Sequence, residues 1–275
     1  MGNAMTAVTY GDIISYYNPA LAAWSTNRHA AASFGILSLD RQLNFLEYAQ
    51  SVPPMAGLSA GLINSGVSKI DGRDADGEQT GPLQTSENQF MVGFAIKFKE
   101  QLSVGLNFKF LVYHLYTDVT SSTVGLDVGI LYNPITDLTL GFAARDITSK
   151  YKWDTSPLFG TAGSTVVDDF PKLYTLGAAY MLPDSIGLIS AEGELSTAKT
   201  FIARAGVEVP LIRELTVRAG IDRIDLKDKG MGVRPAFGFT LRRDFDGWTP
   251  AVNYAFVLEP FAPSGIHMIS LSATF

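Results

Sequence analysis

The sequence predicts an all-β fold: a transmembrane antiparallel β-barrel of about fourteen strands, preceded by an N-terminal hatch segment. Three observations carry that expectation. Charged residues are only 17% of the 275 while hydrophobic residues are 47%, whereas a soluble domain carries about 25% charge. No apolar run approaches the roughly 20 residues that a helical span needs. The hydrophobic residues instead recur at every second position along most of the chain, which is the period of a strand.

The alternation is clearest in the middle of the chain. Phe90, Val92, Phe94, Ile96 and Phe98 alternate with Met91, Gly93, Ala95 and Lys97. Leu102, Val104, Leu106, Phe108 and Phe110 alternate with Ser103, Gly105, Asn107 and Lys109. Val124 to Tyr132 and Leu138 to Ala144 continue in the same way. One face is bulky and apolar; the other is Gly, Ala and Ser with occasional charges, as a lumen requires when lipid lies outside. This phase puts Phe94, Leu106, Val128 and Phe142 against lipid.

In chain order the strands are expected at 29–39, 42–51, 55–65, 88–98, 101–116, 122–132, 138–148, 170–181, 186–196, 200–209, 215–226, 232–242, 248–257 and 265–275. Twelve strands would also fit. Short turns at 99–101, 133–137, 183–185 and 210–214 alternate with long loops at 66–87 and 149–169 and moderate ones at 227–231 and 258–264. Tyr151, Trp153, Trp248 and Tyr254 fall near strand ends, where aromatic girdles belong.

Residues 1–27 do not alternate and form the expected hatch, with residues 28–275 as the barrel. Asn18 followed by Pro19 suits an N-cap and first helical position, which predicts a short helix from Ala20 to Trp24.

The strand phase also selects candidate lumen residues. Glu192 and Glu194 point inward, then Arg204 and Glu208, then Arg218 and Asp222, then Arg234 and Arg242, from four successive strands; Asp127 and Arg145 share that phase. Cross-strand neighbours lie about 5 Å apart, so Glu192 or Glu194 can reach Arg204, and Glu208 can reach Arg218. Such a network either selects a permeant, holds the hatch, or fills the lumen with neutralised charge. An apolar lining is expected to be sparse, limited to Leu188, Ile202 and Ile224.

Several functions are disfavoured. The net charge of −6 argues against nucleic acid as a partner. Without cysteine there are no disulfides or thiolate metal sites. His29, His114 and His267 sit in separate strands without metal-ligand spacing, and none is followed two residues later by a serine. Asp71, Asp74, Asp76 and Glu78 only partly match a calcium loop and read as a solvated outer loop. Neither enzyme activity nor a cofactor or metal is expected. Met1 to Ala4 carry no basic and apolar signal-peptide pattern, so an export signal to the outer membrane is expected upstream.

Gly2, Ala4, Ala7, Asp12, Tyr17, Asn18, Pro19, Ala20 and Leu21 form a pattern that resembles the FadL-like long-chain fatty-acid channel family, and more closely its PorV/PorQ members of type IX secretion. The resemblance implies that residues 1–27 sit inside the barrel. It also implies a docking or scaffold role whose partner is a secreted protein or a larger envelope complex. The alternative within the same family is a channel for uptake of a hydrophobic small molecule. Ile269, Leu271, Ala273 and Phe275 share one face of the last strand, which resembles the signal by which the barrel-assembly machinery recognises such chains. Outer-membrane lipid is then the remaining partner.

Overall fold

The computed structural model describes residues 1–11, 14–228, 230 and 232–275. Its strands are β1 (His29–Ile36), β2 (Arg41–Val52), β3 (Ala56–Arg73), β4 (Gln79–Lys99), β5 (Leu102–Tyr116), β6 (Val119–Ile135), β7 (Leu138–Arg145), β8 (Lys150–Asp154), β9 (Thr165–Asp169), β10 (Leu173–Met181), β11 (Leu188–Ser196), β12 (Phe201–Pro210), β13 (Leu215–Asp225), β14 (Arg234–Arg242), β15 (Thr249–Val257) and β16 (Ile266–Thr274). All but β8 and β9 form one closed antiparallel barrel of fourteen strands, each paired to its neighbour in sequence. β1 pairs with β16 to shut it, so no sheet edge is left in lipid. Arg28 and Phe275 extend that seam by exchanging backbone hydrogen bonds of 3.0 and 2.9 Å.

The outward face is the apolar one. Phe94, Leu106 and Phe142 are exposed on it, while Asp127, Glu192 and Glu194 are buried on the other. The upper limit of the apolar band is written across β2 to β4. Leu46, Leu62 and Phe90 stand side by side on the outward face. One row higher, Asn44 donates to Asn64 at 3.1 Å, and Asn64 donates to Asn88 at 2.8 Å. Side-chain amides bonded to one another in a row suit the water–lipid boundary, where hydrocarbon gives way to polar headgroups.

Above that row the chain departs from expectation. Most of the segment 66–87, expected as a loop, is strand: Ile70 pairs with Leu83 and Gly72 with Gly81 in a tall β3–β4 hairpin. Both of its faces meet water there, so no two-residue hydrophobic pattern announced it. At its tip, Asp74 accepts from the amides of Asp76 and Glu78 at 3.0 and 2.9 Å, and Asp71 pairs with Arg73 at 2.8 Å. Among the described residues no group of three or more His, Asp or Glu side chains is placed to hold a metal ion.

The segment 149–169, also expected as a loop, contains the β8–β9 hairpin. Tyr151 and Trp153 are not girdle residues: they are buried with Leu111, Val119, Tyr113 and Phe170. The Lys152 amide donates to Ser121 at 2.9 Å, and Tyr151 donates to Glu87 at 2.7 Å. Burial, with that bond to Glu87, pushes the Tyr151 phenol far above its ordinary range. The hairpin therefore folds over the inward face of β5 and β6 at the upper rim. Trp248 and Tyr254 remain on the outer surface, Trp248 stacked on Phe245 at the lower rim.

Candidate functional site: a lumen floored by the first residues

Residues 1–11 and 14–24 lie in the lumen on a belt of inward-facing small residues. Glycines meet across three strand pairs: Gly105 opposite Gly129, Gly141 opposite Gly177, and Gly206 opposite Gly220. A Cβ on Gly105, Gly129 or Gly141 would collide with Pro19, Asn18 or Thr6 respectively, and one on Gly206 or Gly220 with Met1. The glycines are there because a backbone passes over them. Larger residues at these positions would close the space the segment occupies.

Asn18 is the best-anchored residue of the segment. Fully buried, it caps the short helix expected here, a 3₁₀ turn over Pro19–Trp24, by accepting from the Ala20 amide at 3.0 Å. Its amide donates to the Thr6 carbonyl at 3.0 Å and to the Ile130 carbonyl of β6 at 3.1 Å. Ala20 and Leu21 pack on Leu131, burying Leu21 completely; a leucine so placed contributes about 1.5–3 kcal/mol. Trp24 donates to Ser103 at 2.8 Å and lies under the Lys97 ammonium. Tyr17 donates to Asn3 at 2.9 Å. Asp12, part of the sequence pattern, lies outside the described residues.

Four carboxylates of the barrel wall receive hydrogen bonds from this segment. Thr6 donates to Glu192 from both amide (3.1 Å) and hydroxyl (2.7 Å). Tyr10 donates to Glu208 at 2.9 Å, Ser15 to Glu47 at 2.6 Å, and Asn3 to Asp222. None of these four donors was visible from periodicity, because residues 1–27 have none.

Three of these carboxylates, Glu192, Glu208 and Asp222, also belong to an ion-pair ladder on β11 to β14. Arg204 faces Glu192 across the ladder and bonds it at 2.9 Å and Glu194 at 3.1 Å. Arg145 bonds Glu194 at 2.6 Å, and Arg218 bonds Glu208 opposite it. Arg234 meets Asp222 at 3.4 Å and Glu259 at 3.0 Å, and Arg41 meets Glu259 at 2.8 Å. Arg41 and Glu259 sit at strand ends, beyond the reach of a phase argument.

Two of the expected network residues stand apart from this ladder. Asp127 instead joins Lys109 at 2.7 Å in a separate buried cluster with Asp146, which ties the start of the β7–β8 connection to the wall. Lys109 shares the inward phase of Asn107 and could have been read from it. Arg242 is exposed at the lower end of β14, where its Nε donates to the Arg213 carbonyl.

A bulge in β13 corrects one further expectation. The register slips between Ala203 and Ala205, leaving Asp222 and Arg223 together opposite Arg204 and putting Ile224 opposite Ala203 on the outward face. Ile224 therefore does not line the lumen, whereas Leu188 and Ile202 are buried inward. Bulges re-aim side chains in this way beside functional sites.

Between the ladder and the opposite wall lies a cavity of about 490 Å³. Met1, Gly2, Asn3, Met5, Thr6, Tyr10 and Tyr17 form its floor; Leu43, Phe45, Val257, Ile266 and Met268 form its apolar side; Arg145, Glu192, Arg204, Glu208, Arg218, Asp222 and Arg234 form its charged side. It lies off the barrel axis, because the Pro19–Trp24 turn and the β8–β9 hairpin occupy the half of the lumen beneath β3 to β6. The apolar residues of β2, β15 and β16 gather on one side about Gly35 of β1, with Ser33, Asn253 and Ser270 in the row below, unlike the scattered lining expected.

No family model and no curated protein sequence matches the chain. Solved structures do. The toluene transporter TodX of Pseudomonas putida is similar over 100% of this chain and 96% of its own, with a TM-score of 0.68 at 13% identity. A FadL homologue of Pseudomonas aeruginosa gives 0.67 at 13% identity over the same shares, 100% and 96%. The toluene transporter TbuX of Ralstonia pickettii gives 0.65 at 12% identity over 98% and 96%. At such identities the likeness speaks for architecture: this chain has the fourteen-stranded barrel fold of the FadL-like outer-membrane channels.

Proposed function

We propose that the chain is an outer-membrane channel that passes a hydrophobic small molecule, with residues 1–24 as its hatch. One observation carries the reading: an off-axis cavity with a mainly apolar side ends on a floor made by the N-terminal segment. Small-molecule sites are concave and mostly apolar with a few convergent polar groups. The neighbours named as toluene transporters support a hydrophobic permeant. The short turns then face the periplasm and the tall hairpins face outward.

The docking role that the PorV/PorQ resemblance implied gives way to this reading. The similar structures named above are toluene transporters and a FadL homologue, and the cavity has the apolar side that a channel needs.

Accumulation of radiolabelled toluene and 2-acetonaphthone by Gram-negative cells with an intact lipopolysaccharide leaflet tests it. Cells making the chain should take up at least one probe several-fold faster than cells without it, and Ala255→Trp, which fills the cavity, should remove the gain. Equal rates with and without the chain would refute the channel. In planar bilayers the intact protein should conduct almost no ions, since eight strands already fill with side chains and sixteen to eighteen leave a pore. Removal of residues 1–24 should open one. Large, steady conductance from the intact protein would point to a general porin.

A further inference from the structure

The two sides of the cavity constrain its ligand jointly, and we infer that it binds a neutral amphiphile: an apolar body carrying one uncharged polar group, such as a ketone or hydroxyl. The inference deepens the channel reading by naming the ligand class, and its binding test does not depend on transport.

The apolar side, Leu43, Phe45, Val257, Ile266 and Met268, offers a hydrocarbon surface large enough for the body of a small molecule.

 The charged side is the reverse. Among the described residues, each of the seven charged side chains that line it, Arg145, Glu192, Arg204, Glu208, Arg218, Asp222 and Arg234, lies in an ion pair. With Arg41, Glu194 and Glu259 behind them, five arginines meet five carboxylates.

That balance decides between ligand classes. A carboxylate or other anion finds no net positive charge, and would have to displace a glutamate from an arginine that already holds it. A pure hydrocarbon would cover the ion pairs and strip their water with nothing in return, and desolvation of polar groups without compensation is unfavourable. A neutral molecule with a single polar group satisfies both sides. Its body lies on the β2, β15 and β16 stripe while its oxygen meets the dipolar face of the ladder without altering the charge count.

Three naphthalenes of similar size separate the classes: 2-acetonaphthone (neutral, polar), 2-naphthoate (anionic) and 2-ethylnaphthalene (apolar), each titrated into the full-length protein in detergent by calorimetry. We expect 2-acetonaphthone to bind about tenfold or more tighter than either of the others, the discrimination a few misplaced polar contacts impose. Glu192→Gln with Glu194→Gln, checked for folding by heat-modifiable migration, leaves Arg145 without its anion and Arg204 with Asp222 alone at 4.0 Å, and should turn the preference to 2-naphthoate. Equal binding of the three, a preference of the unaltered protein for 2-naphthoate or 2-ethylnaphthalene, or no binding of any, would overturn the inference. If 2-acetonaphthone binds selectively yet cells gain no uptake, the ligand class stands and the channel reading fails.

Discussion

Gly105 of β5 and Gly129 of β6 face each other across the ladder, and the Pro19–Ala20 peptide rests on both. A Cβ on Gly105 would stand 2.6 Å from the Ala20 nitrogen, nearer than any side chain tolerates. The first prediction follows from this contact. Gly105→Val should lift the segment from the wall, making residues 1–24 sensitive to protease and giving the barrel an ion conductance that the parent lacks. Protection unchanged from the parent would show that the segment does not need this seat.

Glu192 serves Thr6 and Arg204 at once. Glu192→Ala removes one of the carboxylates that hold Arg204, leaving Glu194 at 3.1 Å, and should cost about 1–3 kcal/mol in reversible unfolding from detergent. In a double-mutant cycle with Thr6→Val, the two effects should fall short of additivity by about 1 kcal/mol, as groups in one network do. Strict additivity would separate the hatch contact from the ion pair.

The amide row Asn44–Asn64–Asn88 sets the membrane border. Single cysteines at Asn88 and at Phe90, adjacent on the outward face of β4, should differ sharply towards a membrane-impermeant maleimide in liposomes: the first labelled, the second protected by lipid. Cysteines at Phe94 and Phe142 should follow Phe90. Equal labelling at positions 88 and 90 would move the border.

Trp153 holds the β8–β9 hairpin against the wall, donating to Asp168 at 2.7 Å and packing on Tyr113 and Tyr151. Trp153→Ala should cost about 3–5 kcal/mol locally. The exposed turn at Ser156–Phe159 should then be cut by protease while the barrel keeps its heat-modifiable migration. Loss of that migration would mean that the hairpin supports the barrel itself.

Phe275 combines a backbone role at the seam with an exposed ring. Phe275→Ala keeps the hydrogen bonds to Arg28 and removes only the ring. If the ring serves recognition by the assembly machinery, the variant should accumulate unassembled in cells yet refold in detergent. Normal assembly in cells would remove that role from the ring.

The barrel was legible because lipid imposes a simple rule: one face apolar, every second residue. That rule placed each barrel strand and the facing positions of Glu192 with Arg204 and Glu208 with Arg218. It failed wherever lipid stops. The upper half of β3 and β4 has water on both faces, and the β8–β9 hairpin answers to its own aromatic cluster. It failed again at the β13 bulge, where one additional residue reverses the phase and sends Ile224 outward. The apolar stripe was missed for a different reason. Val257 and Ile266 lie at strand ends, and Leu43 and Phe45 stand far from them in the chain until β1 closes against β16. The polar residues of the first segment have no period at all; only the glycines beneath them, facing inward in opposed pairs, signal that something must lie there.

The glycine belt has a bearing on how such a chain can fold. Residues 1–6 rest on β7, β12 and β13, so the earliest part of the sequence waits on strands made some two hundred residues later. Contacts of such long range are slow to form, because the chain between must first be ordered. The segment cannot thread into a finished cylinder without parting the contacts that hold it, and the sheet cannot tighten around its glycines while the space over them is empty. Plug and wall would then come to order together, with the seam between β1 and β16 closing over a lumen already furnished.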